Sequence, residues 1–441
     1  MRRGWVAVTA ASLVVLTACS GGSGHSAPAA AAEAVSPTDP AKVSGEITVL
    51  TNRTDQLSDG TLKNYAAEFN KTYPNVTVKF EAITDYEGEV KIRMNTENYG
   101  DVLLIPNNVP ITEYAEFFSP LGDAADLSKT YQWTDYATVA GKVYGIANYG
   151  TASGFVYNKT VWKQAGLTDW PTTQAQFVDD LKAIKAKTQA TPYYTNYHDG
   201  WPLQQWSNAI GSASCDPAAK DALAKDTSPW SSGKDLNAID SLLYTTVNSK
   251  LTEADPTTTN WENSKTLMGT GKVATMFLGS WAVPQMQAAA KTAGQSPDSI
   301  GFMPFPQAGA DGKLCTVVQP DYKYAVNVHS KHKDASRAWL DWYINKSGSA
   351  QAEQAISSVK GTALPSDLQP FEQQGVKMIG QNQTQAATVS KIDKGSEIGL
   401  DSPDYRQKLV DIARGAGSGD QNSYFADLNK KWAASQQTVT G

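Results

Sequence analysis

The chain has 441 residues, with 38 Lys and Arg against 44 Asp and Glu and a formal net charge of −6. No long run of one sign breaks that balance, which argues against a nucleic-acid partner. The length exceeds what one small core organises, so two domains are expected.

From the N-terminus, Arg2 and Arg3 precede an apolar run from about Trp5 to Leu16, then Leu16-Thr17-Ala18-Cys19. A basic start, a short apolar stretch and small residues before a cut describe a secretory signal. The run falls short of the roughly 20 apolar residues a membrane-spanning helix needs. Leu-Thr-Ala-Cys resembles a bacterial lipobox, in which cleavage leaves a lipid-modified cysteine as the new first residue. Residues 1–19 are therefore read as a lipoprotein signal peptide, with Cys19 as the lipidation site. Ser20-Gly21-Gly22-Ser23-Gly24 and the Ala- and Pro-rich stretch after it offer few bulky apolar side chains. Residues 20–44 are expected to form a flexible tether.

The folded part opens with Gly45 to Leu50, which alternates as a strand and ends in the polar loop Thr51 to Asp55. Leu62, Tyr65, Ala66 and Phe69 recur at helical spacing, Tyr73-Pro74 stops that helix, and Val76 to Phe80 resumes a strand. Asp101 to Ile105 is a short apolar run suited to the middle of a parallel sheet, followed by Pro106-Asn107-Asn108. Strands and helices in this rhythm predict a doubly wound α/β domain. Ligands of such sheets bind beyond the carboxyl ends of the strands. Asn52 and Asp55 lie at one such end, Asn107 and Asn108 at another. Ordinary turn chemistry explains the same residues as well.

Further on come Gly141-Lys142-Val143-Tyr144-Gly145-Ile146, Gly154-Phe155-Val156-Tyr157-Asn158-Lys159 and Gly166-Leu167. Gly271-Lys272-Val273-Ala274-Thr275-Met276, Gly279-Ser280-Trp281 and Pro304-Phe305-Pro306 follow, then a helical candidate over Lys333 to Asn345. In this order and spacing the blocks resemble the family of extracellular solute-binding lipoproteins that supply sugars to ABC importers, over nearly all of residues 45–441. Gln319-Pro320-Asp321-Tyr322 departs from that pattern where many members carry a glycine pair.

The resemblance implies a two-lobed, periplasmic-binding-protein-like α/β fold of type II, with doubly wound sheets joined by a multi-crossing hinge. Its crossings are expected near Asn148 to Ser153, Gln295 to Ile300 and Asn345 to Ser349. Residues 45–150 and 298–346 would form the first lobe, and residues 151–297 and 347–441 the second. The implied partners are a sugar, the permease subunits of an ABC transporter and, through Cys19, the outer face of the bacterial cytoplasmic membrane. The protein is expected to be a monomer, without enzymatic activity, cofactor or metal.

A sugar offers hydroxyls at its edge and a C–H face that an aromatic ring covers. Trp281 follows a strand-like Val273 to Leu278, and the family places a stacking aromatic there. Trp201 and Asp199, in the turn-rich loop His198 to Leu203, are a second candidate pair, with Trp206 an alternative packing partner for Trp201. Asp321 and Tyr322 are expected to narrow the cleft, and Thr151 corresponds to a hinge position that touches ligand. Arg53 is expected to pair with an acidic neighbour, while Trp230 and Trp261 read as core or surface residues. Cys215 and Cys315 form either a disulfide, as export permits, or two buried thiols. A bridge between them would link the two lobes as partitioned above. His329 and His332 lack a third partner for a metal. The rival functions are an exported carbohydrate-active enzyme, a receptor for another polar solute, or a purely structural surface lipoprotein.

Overall fold

The computed structural model describes residues 32–440; the expected signal peptide, Cys19 and the start of the tether lie outside the described residues. No helix among the described residues is long and apolar enough to cross a membrane. The later part of the expected tether is not a free leash. Ala34 is fully buried; its N–H donates to Pro120 O at 2.9 Å, and its carbonyl accepts from Arg337 Nη1 at 2.6 Å. Arg337 is itself buried, and its guanidinium needs acceptors there. The Ala34 and Leu121 carbonyls supply them.

The first sheet begins with three parallel strands, β1 (Gly45–Thr51), β2 (Val76–Ala82) and β3 (Val102–Leu104). Helix Thr61–Asn70 connects β1 to β2 and buries Leu62 and Phe69. A small sheet follows, made of β4 (Gly122–Asp123), β5 (Thr138–Val139) and β6 (Lys142–Val143). The chain returns to the first sheet in β7 (Ile146–Ala147) and then enters the second in β8 (Tyr149–Asn158). Antiparallel to β8 run β9 (Thr275–Gly279), β10 (Ile300–Met303) and β11 (Cys315–Pro320). Then β12 (Lys323–Val326) goes back to the first sheet, antiparallel to both β3 and β7. Helix Lys333–Lys346 covers that sheet through Ala335, Ala338, Trp339 and Leu340. The second sheet is completed by β13 (Ile356–Ser357) and β14 (Lys377–Ile379).

Alternation along the strands gives the second sheet two apolar faces. Phe155, Phe277 and Met303 enter one cluster with Phe177, Trp206 and Trp432. Val156, Met276, Leu278 and Phe302 enter another with Val283, Met286 and Phe371. The first lobe has its own core around Val49, Leu103, Ala325 and Trp339.

Two expectations about the partition are corrected by this pairing. Because β10 and β11 hydrogen-bond to β8, residues 300–320 belong with the second sheet, not the first. The crossing expected near Gln295 to Ile300 therefore lies at Asp321 and Tyr322, beside the first crossing at Asn148. Asn148 N–H donates to Tyr322 O at 3.0 Å and Asp321 N–H to Tyr149 O at 3.0 Å, which ties the two passes together. Cys215 and Cys315 are bonded, with S–S 2.00 Å, and both then fall in the second lobe. The bridge does not join the lobes.

Candidate ligand-binding site

The first lobe presents the carboxyl ends of β1 and β3 and the start of β12. After β1, the Arg53 guanidinium binds Asp55 at 2.7 Å and Glu353 at 2.8 Å, and Gln56 also donates to Glu353 at 2.7 Å. The hydrogen bond from Arg53 holds the Asp55 carboxyl below its ordinary range. Asp55 is thus engaged with Arg53, while the half-buried Asn52 side chain makes no hydrogen bond to other described residues.

After β3, Asn107 and Asn108 converge on Glu87, a residue the sequence did not single out. Asn107 Nδ2 donates to Glu87 Oε1 at 3.2 Å and Asn108 Nδ2 to the Glu87 carbonyl at 3.1 Å. The Tyr322 hydroxyl donates to Glu87 Oε1 at 2.6 Å, joining the β3 loop to the crossing. Burial, then the Glu87 carboxylate, pushes the Tyr322 phenol up, so it stays a neutral donor. Burial also raises the Asp321 carboxyl, against hydrogen bonds from the Tyr322 backbone and from Asn148.

The second lobe presents three packed indoles. Ring centroids lie 4.9 Å apart for Trp201 and Trp261, 5.8 Å for Trp201 and Trp281, and 5.7 Å for Trp261 and Trp281. Trp201 enters a short helix from Gly200, whose φ of +73° suits glycine. Trp261 starts a helix capped by Asn260, whose side chain accepts from Asn263 N–H at 2.9 Å. Trp281 lies across Gly279, where an added Cβ would stand 2.4 Å from its ring. Trp201 therefore packs on Trp261 and Trp281 rather than on Trp206. Trp261, read from sequence as core or surface, is the third member of the cluster, whereas Trp230 is a core residue. Asp199 precedes them with one carboxylate oxygen buried and without a hydrogen-bond partner.

Between the walls, β8 forms a floor. Thr151 is buried on it, opposite Gln319 of β11. Gly150 carries the Trp133 ring of the first lobe, which an added Cβ would meet at 2.1 Å. Trp133 holds a left-handed φ of +59° and packs against the same apolar cluster as the three second-lobe indoles. No repeat or turn signature marks it in the sequence.

The indole N–H groups of the described residues divide into three sets. Those of Trp162, Trp170, Trp230 and Trp432 donate to Thr275, Tyr157, Asp240 and the Leu223 carbonyl. Those of Trp206 and Trp339 are buried and unpaired, and those of Trp133, Trp201, Trp261, Trp281 and Trp342 have no partner among the described residues without being buried. Trp342 packs on the first-lobe core, whereas the other four half-buried rings gather on one cluster and keep accessible, unused donors there. Among the described residues no cluster of three or more His, Cys, Asp or Glu could hold a metal.

A family model described as bacterial extracellular solute-binding protein matches residues 54–350. A multiple sugar-binding protein of Streptococcus mutans is 31% identical over 149 residues, 33% of this chain and 35% of that protein. The diacetylchitobiose binding protein DasA of Streptomyces coelicolor is 29% identical over 147 residues, 32% of this chain and 33% of that protein. These two matches span about a third of each curated relative. Among solved structures, BlMnBP1, an ABC-transporter binding protein of Bifidobacterium animalis subsp. lactis in complex with mannobiose, superposes with a TM-score of 0.83 at 33% identity. BlMnBP2 of the same subspecies, in complex with mannotriose, does so with 0.83 at 30% identity. Each alignment covers 91% of this chain and 96% of the other.

Proposed function

This chain belongs to the bacterial extracellular solute-binding protein family, and on that premise we propose that it captures a carbohydrate between its two lobes and delivers it to the permease of an ABC importer. The observation that carries this reading is the gathering on one cluster of four half-buried indoles whose N–H groups no described residue uses. An indole covers the C–H face of a sugar and donates one hydrogen bond to a hydroxyl. Across the floor, Asn52, Asn107 and Asn108, with Glu87 and Tyr322, supply the mixed donors and acceptors that hydroxyls need. Asp199 and its unpaired oxygen add an acceptor on the second wall.

The lobes then act as jaws. Sugar contacts both walls only when they are close, so it binds the closed arrangement preferentially and shifts the population toward it. Closure removes water from the indoles and leaves the sugar chemically unchanged, as in a carrier rather than a hydrolase. The relatives named for sugars, and the two neighbours holding mannobiose and mannotriose, support this substrate class.

The test is calorimetry and thermal shift with mannobiose and mannotriose on the wild type and on Trp281→Ala. Binding is expected in the wild type, and a loss of about 1.5–3 kcal/mol, the scale of a buried aromatic face, in the variant. Sugar that comes back cleaved would replace capture by catalysis. We also propose that the Leu-Thr-Ala-Cys motif anchors the protein by lipid at Cys19, outside the cell and beside its permease. Radiolabelled fatty acid should enter the wild type and not Cys19→Ser, and the variant should appear in the medium.

A further inference from the structure

We infer that residues 33–43 are a clasp: they pin the anchored N-terminus to the first lobe, so that this lobe is the one held at a short reach from the membrane. The inference rests on the lipid anchor proposed above at Cys19 and adds to it the lobe that is held and a distance.

The segment is fastened along its whole length. At its start, Glu33 pairs with Lys142 of β6 at 3.0 Å, and Lys142 pairs with Asp123 of β4 at 3.0 Å. Ala34, fully buried, donates to Pro120 O at 2.9 Å and accepts from Arg337 Nη1 at 2.6 Å. The Ser36 hydroxyl donates to Asp341 Oδ2 at 2.6 Å, while Asp341 Oδ1 accepts from Arg337 Nε at 2.8 Å. At its end, Asn75 Nδ2 donates to the Ala41 carbonyl at 3.1 Å, and Val43 enters the first-lobe core. All of these partners belong to the first lobe.

Arg337 shows that the lobe is built to receive the segment. It stands among Ala335, Ala338, Trp339 and Leu340 on the buried side of its helix, where a cation without acceptors is costly. The Leu121 and Ala34 carbonyls are two of its acceptors, so lifting the segment away would leave a buried guanidinium N–H unpaired. With Ala34 pinned, residues 20–33 alone separate Cys19 from the lobe, a reach of at most about 50 Å; unpinned, residues 20–44 would reach about 90 Å. A tethered module is diluted roughly as the −3/2 power of tether length. Release would therefore lower the effective concentration of the cleft at a permease about two-fold, before any loss of orientation.

The experiment compares the full lipid-bearing wild type with Ala34→Lys, which sets a second cation beside Arg337, and with Ala34→Gly, which keeps both backbone bonds. Three quantities are read: hydrogen exchange of residues 33–43, calorimetric affinity for mannotriose, and mannotriose uptake by cells per incorporated radiolabelled fatty acid. The segment should be protected in the wild type and in Ala34→Gly, and exchange freely in Ala34→Lys. Affinity should agree across all three, while uptake at limiting mannotriose falls by about two-fold or more in Ala34→Lys alone. Unchanged uptake in Ala34→Lys after protection is lost would overturn the inference, as would free exchange of the segment in the wild type. Lost mannotriose affinity in Ala34→Lys would make the segment part of the sugar-binding fold and overturn its reading as a clasp. A wild type that takes up no fatty acid would sink the anchor reading, and one that binds no mannotriose the capture reading; the role of the clasp falls with either.

Discussion

Gly150 shows how tightly one residue is constrained at the floor of the cleft. An added Cβ would stand 2.1 Å from Cη2 of Trp133, and the ring cannot retreat freely because it is half-buried against the second-lobe cluster. Gly150→Ala should cost about 1–3 kcal/mol through overpacking. Combining it with Trp133→Ala should recover part of that cost, since the clash needs both side chains. Denaturant midpoints of the two single variants and the double variant measure the coupling; strictly additive effects would mean that the two groups do not meet. At this scale the sequence was informative only where residue type and surroundings agree. Trp281 was put forward because the family resemblance places a stacking aromatic there, and the structure packs it with Trp201 and Trp261. Trp133 was not, because a left-handed tryptophan has no local signature. Glu87 was hidden in a charged helix start, and its partners Asn107, Asn108 and Tyr322 meet it only in three dimensions.

Elements were easier to read than their assignment to sheets. The expected strand at Gly45 to Leu50 forms as β1 and the helix placed on Leu62 to Phe69 forms as Thr61–Asn70, since period-two and period-3.6 patterns are local. Nothing local tells β10 which sheet it joins, and that pairing moved residues 300–320 to the second lobe. Element ends also set charge behaviour. Asp393, near the end of helix Ala386–Ser396, accepts from Gly399 N–H at 3.0 Å and Leu400 N–H at 2.9 Å. Burial nonetheless raises its pKa from 3.8 to about 6. A folded-state value above the unfolded one means the fold favours the protonated acid. Its contribution is complete below about pH 4 and is lost as pH rises through about 6. Asp393→Asn should therefore stabilise the protein by about 1–2 kcal/mol at pH 7.5, with the advantage gone near pH 4. Paired melting curves across that range test the sign. An advantage that grows on acidification would overturn it.

At the scale of the whole molecule, the disulfide and the crossings divide rigidity from motion. Cys215 and Cys315 are separated by 100 residues in sequence, so their bond closes a long loop and restricts the unfolded chain, a stabilisation of about 2–4 kcal/mol. The bonded strand, β11, lies in the second sheet against β8, so the constraint acts inside one lobe. On the capture reading, motion between the lobes falls to the passes at Asn148, at Asp321 and Tyr322, and after helix Lys333–Lys346. Across the seam, the lobes also meet through backbone bonds from Gln132 N–H to Ser358 O at 2.8 Å and from Lys360 N–H to Thr130 O at 2.9 Å. None of these contacts involves either cysteine. On the capture reading, the double variant Cys215→Ser with Cys315→Ser should accordingly melt several degrees lower and yet keep whatever affinity for mannotriose the wild type has, within about two-fold, because the bridge lies outside the joints that closure would use. Melting under oxidising and reducing conditions, with calorimetry on both proteins below their transitions, separates the two effects. A large loss of affinity at unchanged melting temperature would make the bridge part of the jaw mechanism, and the division of labour between lobe and crossing would have to be redrawn.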